Sequence, residues 1–136
     1  MKKSEISNSA EMFLYKSTVD FNTANFLLES FEQGKVEIDL EIIMFHLQQT
    51  AEKLLKSLLS HNKIRIQKTH DISQLIGLCS EYNITFNFDI HSLANLTDFA
   101  VDGRYAIMHD DLNDIGAYTE LLAELLNFVK TAVSRK

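Results

Sequence analysis

Asp102 to Asp111 reads DGRYAIMHDD, which sets Arg104 and His109 five positions apart among carboxylates. These are the two side chains a phosphate-handling site needs. A guanidinium stays charged, and its planar fork matches two phosphate oxygens. An imidazole titrates near neutral pH and can exchange a proton. Five positions on an ideal α-helix turn the side chains about 140° apart. They converge only if the helix breaks between them or if two copies of the chain meet. The simpler reading is structural: Arg104 pairs with Asp102, Asp110 or Asp111, and His109 sits near a helix C-terminus as a favourable cation.

A second polar constellation is FHLQQTAEK, Phe45 to Lys53. Gln48 and Glu52 share a helix face at four-residue spacing, and so do Gln49 and Lys53. Two readings stand beside each other. The strip is the solvated side of a helix, or it is a groove facing Arg104. In that groove Lys53 contacts a phosphate, and the amides read a base or a ribose. KTHD, Lys68 to Asp71, has a local explanation: Thr69 or Asp71 caps a helix whose first turn holds His70. His70 is then a neutral, hydrogen-bonded anchor, and His46 is structural. His61 and His91 stand alone. There is no supported Ser-His-Asp ordering, no glycine-rich phosphate loop and no zinc-ligand spacing. Neither a metal nor another cofactor is expected.

The elements that position these residues read as helical. The 136 residues contain no proline and four glycines, a composition that favours long helices over turn-rich strands. The clearest stripe is Leu40, Ile43, Met44, Leu47, Ala51, Leu54, Leu55 and Leu58, an amphipathic helix of about six turns. Ser9 to Glu32 reads as a helix before it, with Phe13, Val19, Ala24, Leu27 and Phe31 as core candidates and Gly34 as its left-handed cap. A third helix is predicted over Ile72–Glu81, with Leu75, Ile76 and Cys79 inward. A fourth is predicted from about Ile90 to Tyr105, and a fifth from about Leu112 to Val133 with Ile115, Tyr118, Leu122, Leu125 and Val129. HNKIRIQKTHD is a polar loop. ITFNFDI alternates like a strand but has no partner, so it reads as an extended connection. The fold expectation is an all-α, up-and-down bundle of about five helices. It forms one domain over residues 1–136, with residues 1–8 a flexible N-terminus.

Charge is unevenly placed. The net charge is −6, yet residues 51–70 carry +4 between two acidic flanks. Lys53, Lys56, Lys63, Arg65 and Lys68 make this basic island. An acidic chain gains little from non-specific attraction to nucleic acid, so any such contact must be local. The single Cys79 implies no intramolecular disulfide. The N-terminal lysines have no apolar run behind them, and no window reaches the roughly 18 apolar residues of a membrane span. A cytoplasmic protein with no membrane contact is expected. The predicted fourth helix is apolar nearly all round (Ile90, Leu93, Leu96, Phe99, Ala100, Val101, Ile107), more than one core face needs. That surplus points to a homodimer.

FHLQQTAEKLLKSLL, then KTHDISQLI, then LTDFAVDGRY resemble, in order and spacing, the HEPN domains of prokaryotic toxin–antitoxin operons. The likeness runs from about Asp20 to Val133. It implies a dimerising helical bundle, often encoded beside a minimal nucleotidyltransferase that serves as antitoxin. Many members are metal-independent ribonucleases whose motif is an arginine, four to six residues, then a histidine. Here that motif is Arg104-x4-His109. By this likeness Arg104 and His109 are the catalytic pair, and Gln48, Gln49, Glu52, Lys53 and Tyr105 contact RNA or a nucleotide. The chain departs from the best-known toxin group in two ways. Tyr105 follows the arginine where that group has a polar residue. Asp111 stands two positions after the histidine, where that group has the tyrosine that its partner modifies with AMP. The other function the likeness implies is a non-catalytic module that binds a nucleotide or docks the nucleotidyltransferase through QQTAEK and GRY.

Overall fold

A computed structural model of the chain describes residues 1–99 and 112–134. Among these residues there are four α-helices: α1 (Ser9–Glu32), α2 (Leu40–His61), α3 (Ile72–Glu81) and α4 (Leu112–Ser134). Two 3-10 helices, Lys3–Glu5 and Ile90–Phe99, complete them, and the described residues contain no strand. The all-α bundle expected from sequence is the fold of this chain. No helix of the described residues is long and apolar enough to cross a membrane.

Local chemistry sets the helix ends. Asn8 caps α1, its Oδ1 accepting from the Glu11 backbone 2.9 Å away, while Glu11 Oε1 accepts from Ser7 N, also at 2.9 Å. The first bond satisfies one of the N–H groups that a helix start leaves orphaned, and the second ties the residue before the cap to the first turn. A short 3-10 turn, Lys3–Glu5, precedes this cap. At its other end α1 closes as sequence predicts. Gly34 takes a φ of +71°, and the Lys35 and Gly34 amides return to Ser30 O and Phe31 O. Helices α2 and α3 end by the same pattern without glycine. Lys63 and Asn83 hold φ of 59° and 62° there. Asparagine tolerates that region; lysine is strained in it.

Helix α2 is the axis of the fold, packing against α1, α3, α4 and the long 3-10 helix. Its register with α1 is antiparallel. Ser57 Oγ donates to Ala10 O near one end, while His46 meets Asp20 further along. All eight residues of the predicted α2 stripe are buried. Helix α1 is phased differently from the sequence reading. Its buried positions are Ala10, Leu14, Ser17, Phe21 and Ala24, a stripe near 3.5-residue spacing. Val19, read as core, is 47% exposed, as is Phe26 at 68%. Helix α1 has apolar residues on both faces, so periodicity alone could not choose the inner one.

The predicted fourth helix is corrected in kind. Ile90, Leu93, Leu96 and Phe99 are buried and lie three residues apart along a 3-10 helix. A 3-10 helix repeats every three residues, so it keeps this stripe on one line where an α-helix would let it drift. Their burial also removes these four residues from the surplus apolar surface that pointed to a partner; residues 100–105 of the predicted helix, and Ile107, lie outside the described residues. ITFNFDI forms no strand: residues 84–89 are a connection that bends at Asn87 and Phe88, and Ile90 starts the long 3-10 helix. Phe86 and Phe88 pack on the core and meet Phe128 of α4, with ring centroids 5.0 and 6.2 Å away.

Cys79 is fully buried on α3, and burial pushes its thiol up to about 11. The thiolate is the reactive form. A thiol-reactive dye at pH 8 should therefore label the native protein far more slowly than the urea-unfolded chain. Equal rates would show that α3 is not packed as described.

Candidate functional site

Because α2 is enclosed by other elements, some of its polar residues lie inside. Gln48 is 0% and Glu52 4% exposed. The solvated-strip reading therefore fails for these two residues, since the segment leading into α3 folds over them. A buried carboxylate needs paired charge and hydrogen bonds to remain ionised. Glu52 has both. Gln48 Nε2 donates to Oε1 at 3.0 Å, His70 Nδ1 lies 2.9 Å from the same oxygen, and Lys56 Nζ lies 3.0 Å from Oε2. Burial alone would raise its pKa. The hydrogen bonds from Gln48, Lys56 and His70, with the Lys56 charge, outweigh burial and hold it below the usual glutamate value.

The network extends outward. Gln49 Nε2 donates to Gln48 Oε1 at 2.7 Å, and Gln48 Nε2 also lies 3.4 Å from His70 O. His70 is not in the first turn of α3, as its sequence suggested, but one residue before the cap. Asp71 is the cap, accepting from Ser73 N, and Thr69 Oγ1 accepts from Asp71 N. The neighbouring face of α2 meets α1 at Asp20. One carboxylate oxygen of Asp20 takes His46 Nδ1 at 3.1 Å, and the other takes Lys53 Nζ. Lys53 is thus engaged by an internal anion rather than presented alone to a phosphate.

The structure therefore joins Gln48, Gln49 and Glu52 into one hydrogen-bonded chain and places Lys53 in an adjoining ion pair. Arg104, Tyr105 and His109 lie outside the described residues, as do Asp102, Asp110 and Asp111. Sequence reasoning assigned nothing to Asp20, and no local signal marks it, because its partners lie 26 and 33 residues away. Chemically, the two carboxylate–imidazole contacts orient the rings of His46 and His70 through Nδ1. Among the described residues no group of three or more His, Cys, Asp or Glu side chains is arranged to hold a metal ion.

With this geometry in place, comparison with known families is specific. The HEPN domain family model matches residues 10–132. The chain belongs to the HEPN family, an all-helical domain, and the match spans the helices and the polar network. Comparison with curated protein sequences and with solved structures gives no match.

Glu52→Ala should cost about 3 kcal/mol of stability, the usual scale for breaking a buried charge pair. That corresponds to a fall of ~10 °C in Tm at this size. Because the folded-state pKa lies below the unfolded one, Glu52 stabilises fully above roughly pH 4.3 and loses that contribution as pH falls through the folded value. Urea denaturation of wild type and Glu52→Gln across pH 3 to 7 checks the sign. The stability gap between them should shrink toward acid. A gap independent of pH would remove the carboxylate from this role.

Proposed function

We propose that this HEPN protein is a metal-independent ribonuclease, the toxin half of a pair with a minimal nucleotidyltransferase, and that Arg104 and His109 carry its chemistry. The observation that carries the reading is the Arg104-x4-His109 spacing within a chain whose HEPN match covers residues 10–132. Metal-free cleavage of RNA needs a base to take the 2′-hydroxyl proton and a cation to stabilise the charged phosphorane. His109 serves as the first and Arg104 as the second. A homodimer belongs to the same reading, because two copies bring the pairs to a shared seam where a single continuous helix would splay them. The cytoplasm, where RNA is the substrate, is the proposed compartment.

The polar network on α2 acts in this reading as a support. Glu52 holds the segment before α3, and the amides of Gln48 and Gln49 stand beside it, with Tyr105 as a further contact to RNA. One observation favours a second reading, a non-catalytic module that binds a nucleotide or docks the nucleotidyltransferase. Lys53 and Lys56 are neutralised by Asp20 and Glu52, and Asp110 and Asp111 add negative charge beside His109. A strip of satisfied amides with little net charge suits recognition better than phosphate chemistry.

The test is cleavage of a mixed RNA pool in chelator, using wild type, Arg104→Ala and His109→Ala. Loss of one proton-transfer group should lower the rate about 10²–10⁴-fold, and loss of the arginine should lower it comparably. Equal cleavage by wild type and His109→Ala, or none by folded, dimeric wild type, would sink the ribonuclease and leave the module. Growth arrest on induction, relieved by the neighbouring nucleotidyltransferase, would support the toxin pairing.

A further inference from the structure

The basic island divides into two sets in three dimensions. Lys53 and Lys56 are neutralised by Asp20 and Glu52. Lys63, Arg65 and Lys68 are exposed and make no ion pair among the described residues. All three lie on the short segment between α2 and α3, which contains no acidic residue between Glu52 and Asp71. On a chain of net charge −6, three neighbouring cations with no ion pair among the described residues are a local exception.

The segment is not a loose loop. Ile64 is buried and Ile66 packs against the core, while Lys63, Arg65 and Gln67 are exposed. Alternation of this kind in extended chain turns i, i+2 and i+4 to one side. Burying the isoleucines thus fixes the outward direction of Arg65 and Gln67, with exposed Lys63, in the left-handed turn that ends α2, and exposed Lys68 on either side of them. Beside the segment is an open cleft of about 390 Å³ whose walls include Arg65, Gln67, Thr69, Gln74, Leu75 and Glu81. Thr69 Oγ1 donates to Gln74 Oε1 at 2.8 Å, which orients that amide and leaves its Nε2 without a hydrogen bond among the described residues. Gly77, also on the wall, has nothing within 4 Å of where a Cβ would stand.

We infer that this cleft between the α2–α3 segment and α3 is a binding site for single-stranded RNA, taking one base in the cleft and phosphates on Lys63, Arg65 and Lys68. Leu78, partly buried on the same wall, offers an apolar surface to a base. Gln67 and Gln74 offer amide donors and acceptors to its edge. The Glu81 carboxylate, which would repel a phosphate, is suited to accept from an exocyclic amine such as that of cytosine. A cleft with amide and carboxylate groups ordered beside cations favours a nucleotide over an acidic protein surface, which would need only the charge. The inference rests on the proposal that RNA is the substrate, and it adds where the strand is held away from the cleaving pair.

Fluorescence anisotropy with labelled single-stranded RNA tests it, in the His109→Ala background so that the probe survives. The combined variant Lys63→Asn, Arg65→Gln, Lys68→Gln should weaken binding at least tenfold near 0.1 M salt. It should also reduce the log–log salt slope by about 2, since each single-strand phosphate contact contributes roughly 0.7. Gly77→Leu, which fills the cleft, should weaken binding, whereas Gly77→Ala should not. Equal affinity and slope in the triple variant and its parent, including no binding by either, would overturn the site. So would unchanged affinity in Gly77→Leu, or displacement of the RNA by polyglutamate at matched charge concentration; the latter would mark a surface for acidic proteins. Cleavage by the wild type is read separately. RNA bound at this cleft without cleavage would end the ribonuclease proposal and keep the site; cleavage with normal binding by the triple variant would do the reverse.

Discussion

An ionised carboxylate inside the bundle is the constraint on which the rest of this structure depends. Glu52 sits on the helix that touches the other α-helices and the long 3-10 helix, and it is almost wholly removed from water. A charge in that position is stable only while its donors stay in place. Each donor comes at a structural condition. Gln48 and Lys56 require α2 to be helical through that turn, because both lie four residues from Glu52. His70 requires the chain to come back over α2 before α3 begins. One buried charge thereby specifies the register of a helix and the course of the segment that follows it.

The same network decides which positive charges are available to a ligand. Two lysines of the basic island are drawn inward by Asp20 and Glu52, and three cations remain on the segment before α3. Counting charges along the chain treats all five alike. In the folded molecule the internal pairs are fixed in place, and the outer three remain exposed to ions and ligands. The electrostatic face of the protein is therefore smaller than its sequence suggests, and it is displaced from the QQTAEK strip toward α3.

The long 3-10 helix has a related consequence. Its stripe of four buried residues ends at Phe99, and α4 enters the core at Ile115. The chain is thus anchored to one core on both sides of the segment carrying Arg104 and His109. Geometry of that kind is rare over ten residues, since 3-10 hydrogen bonds are poorer than α-helical ones. Here the four apolar side chains at three-residue spacing stabilise it, because each gains burial that an α-helical turn would rotate away.

What the sequence determined by itself was the helical class, the bounds of α1 and α3, the Gly34 cap and the whole apolar face of α2. These follow from local rules: short-range periodicity, capping side chains and the conformational freedom of glycine. The four-residue pairing of Gln48 with Glu52 was legible for the same reason. Tertiary structure alone decided which face of α1 is inside, since Val19 and Phe21 are equally apolar and only packing against α2 separates them. It decided that Gln48 and Glu52 are buried, because the covering residue, His70, comes from 18 residues beyond Glu52. It decided that Asp20 neutralises Lys53, a contact between two helices that no spacing rule encodes. Local chemistry is written in neighbouring residues, whereas burial and charge pairing depend on which distant segments meet, and that is set by the packing of the whole chain.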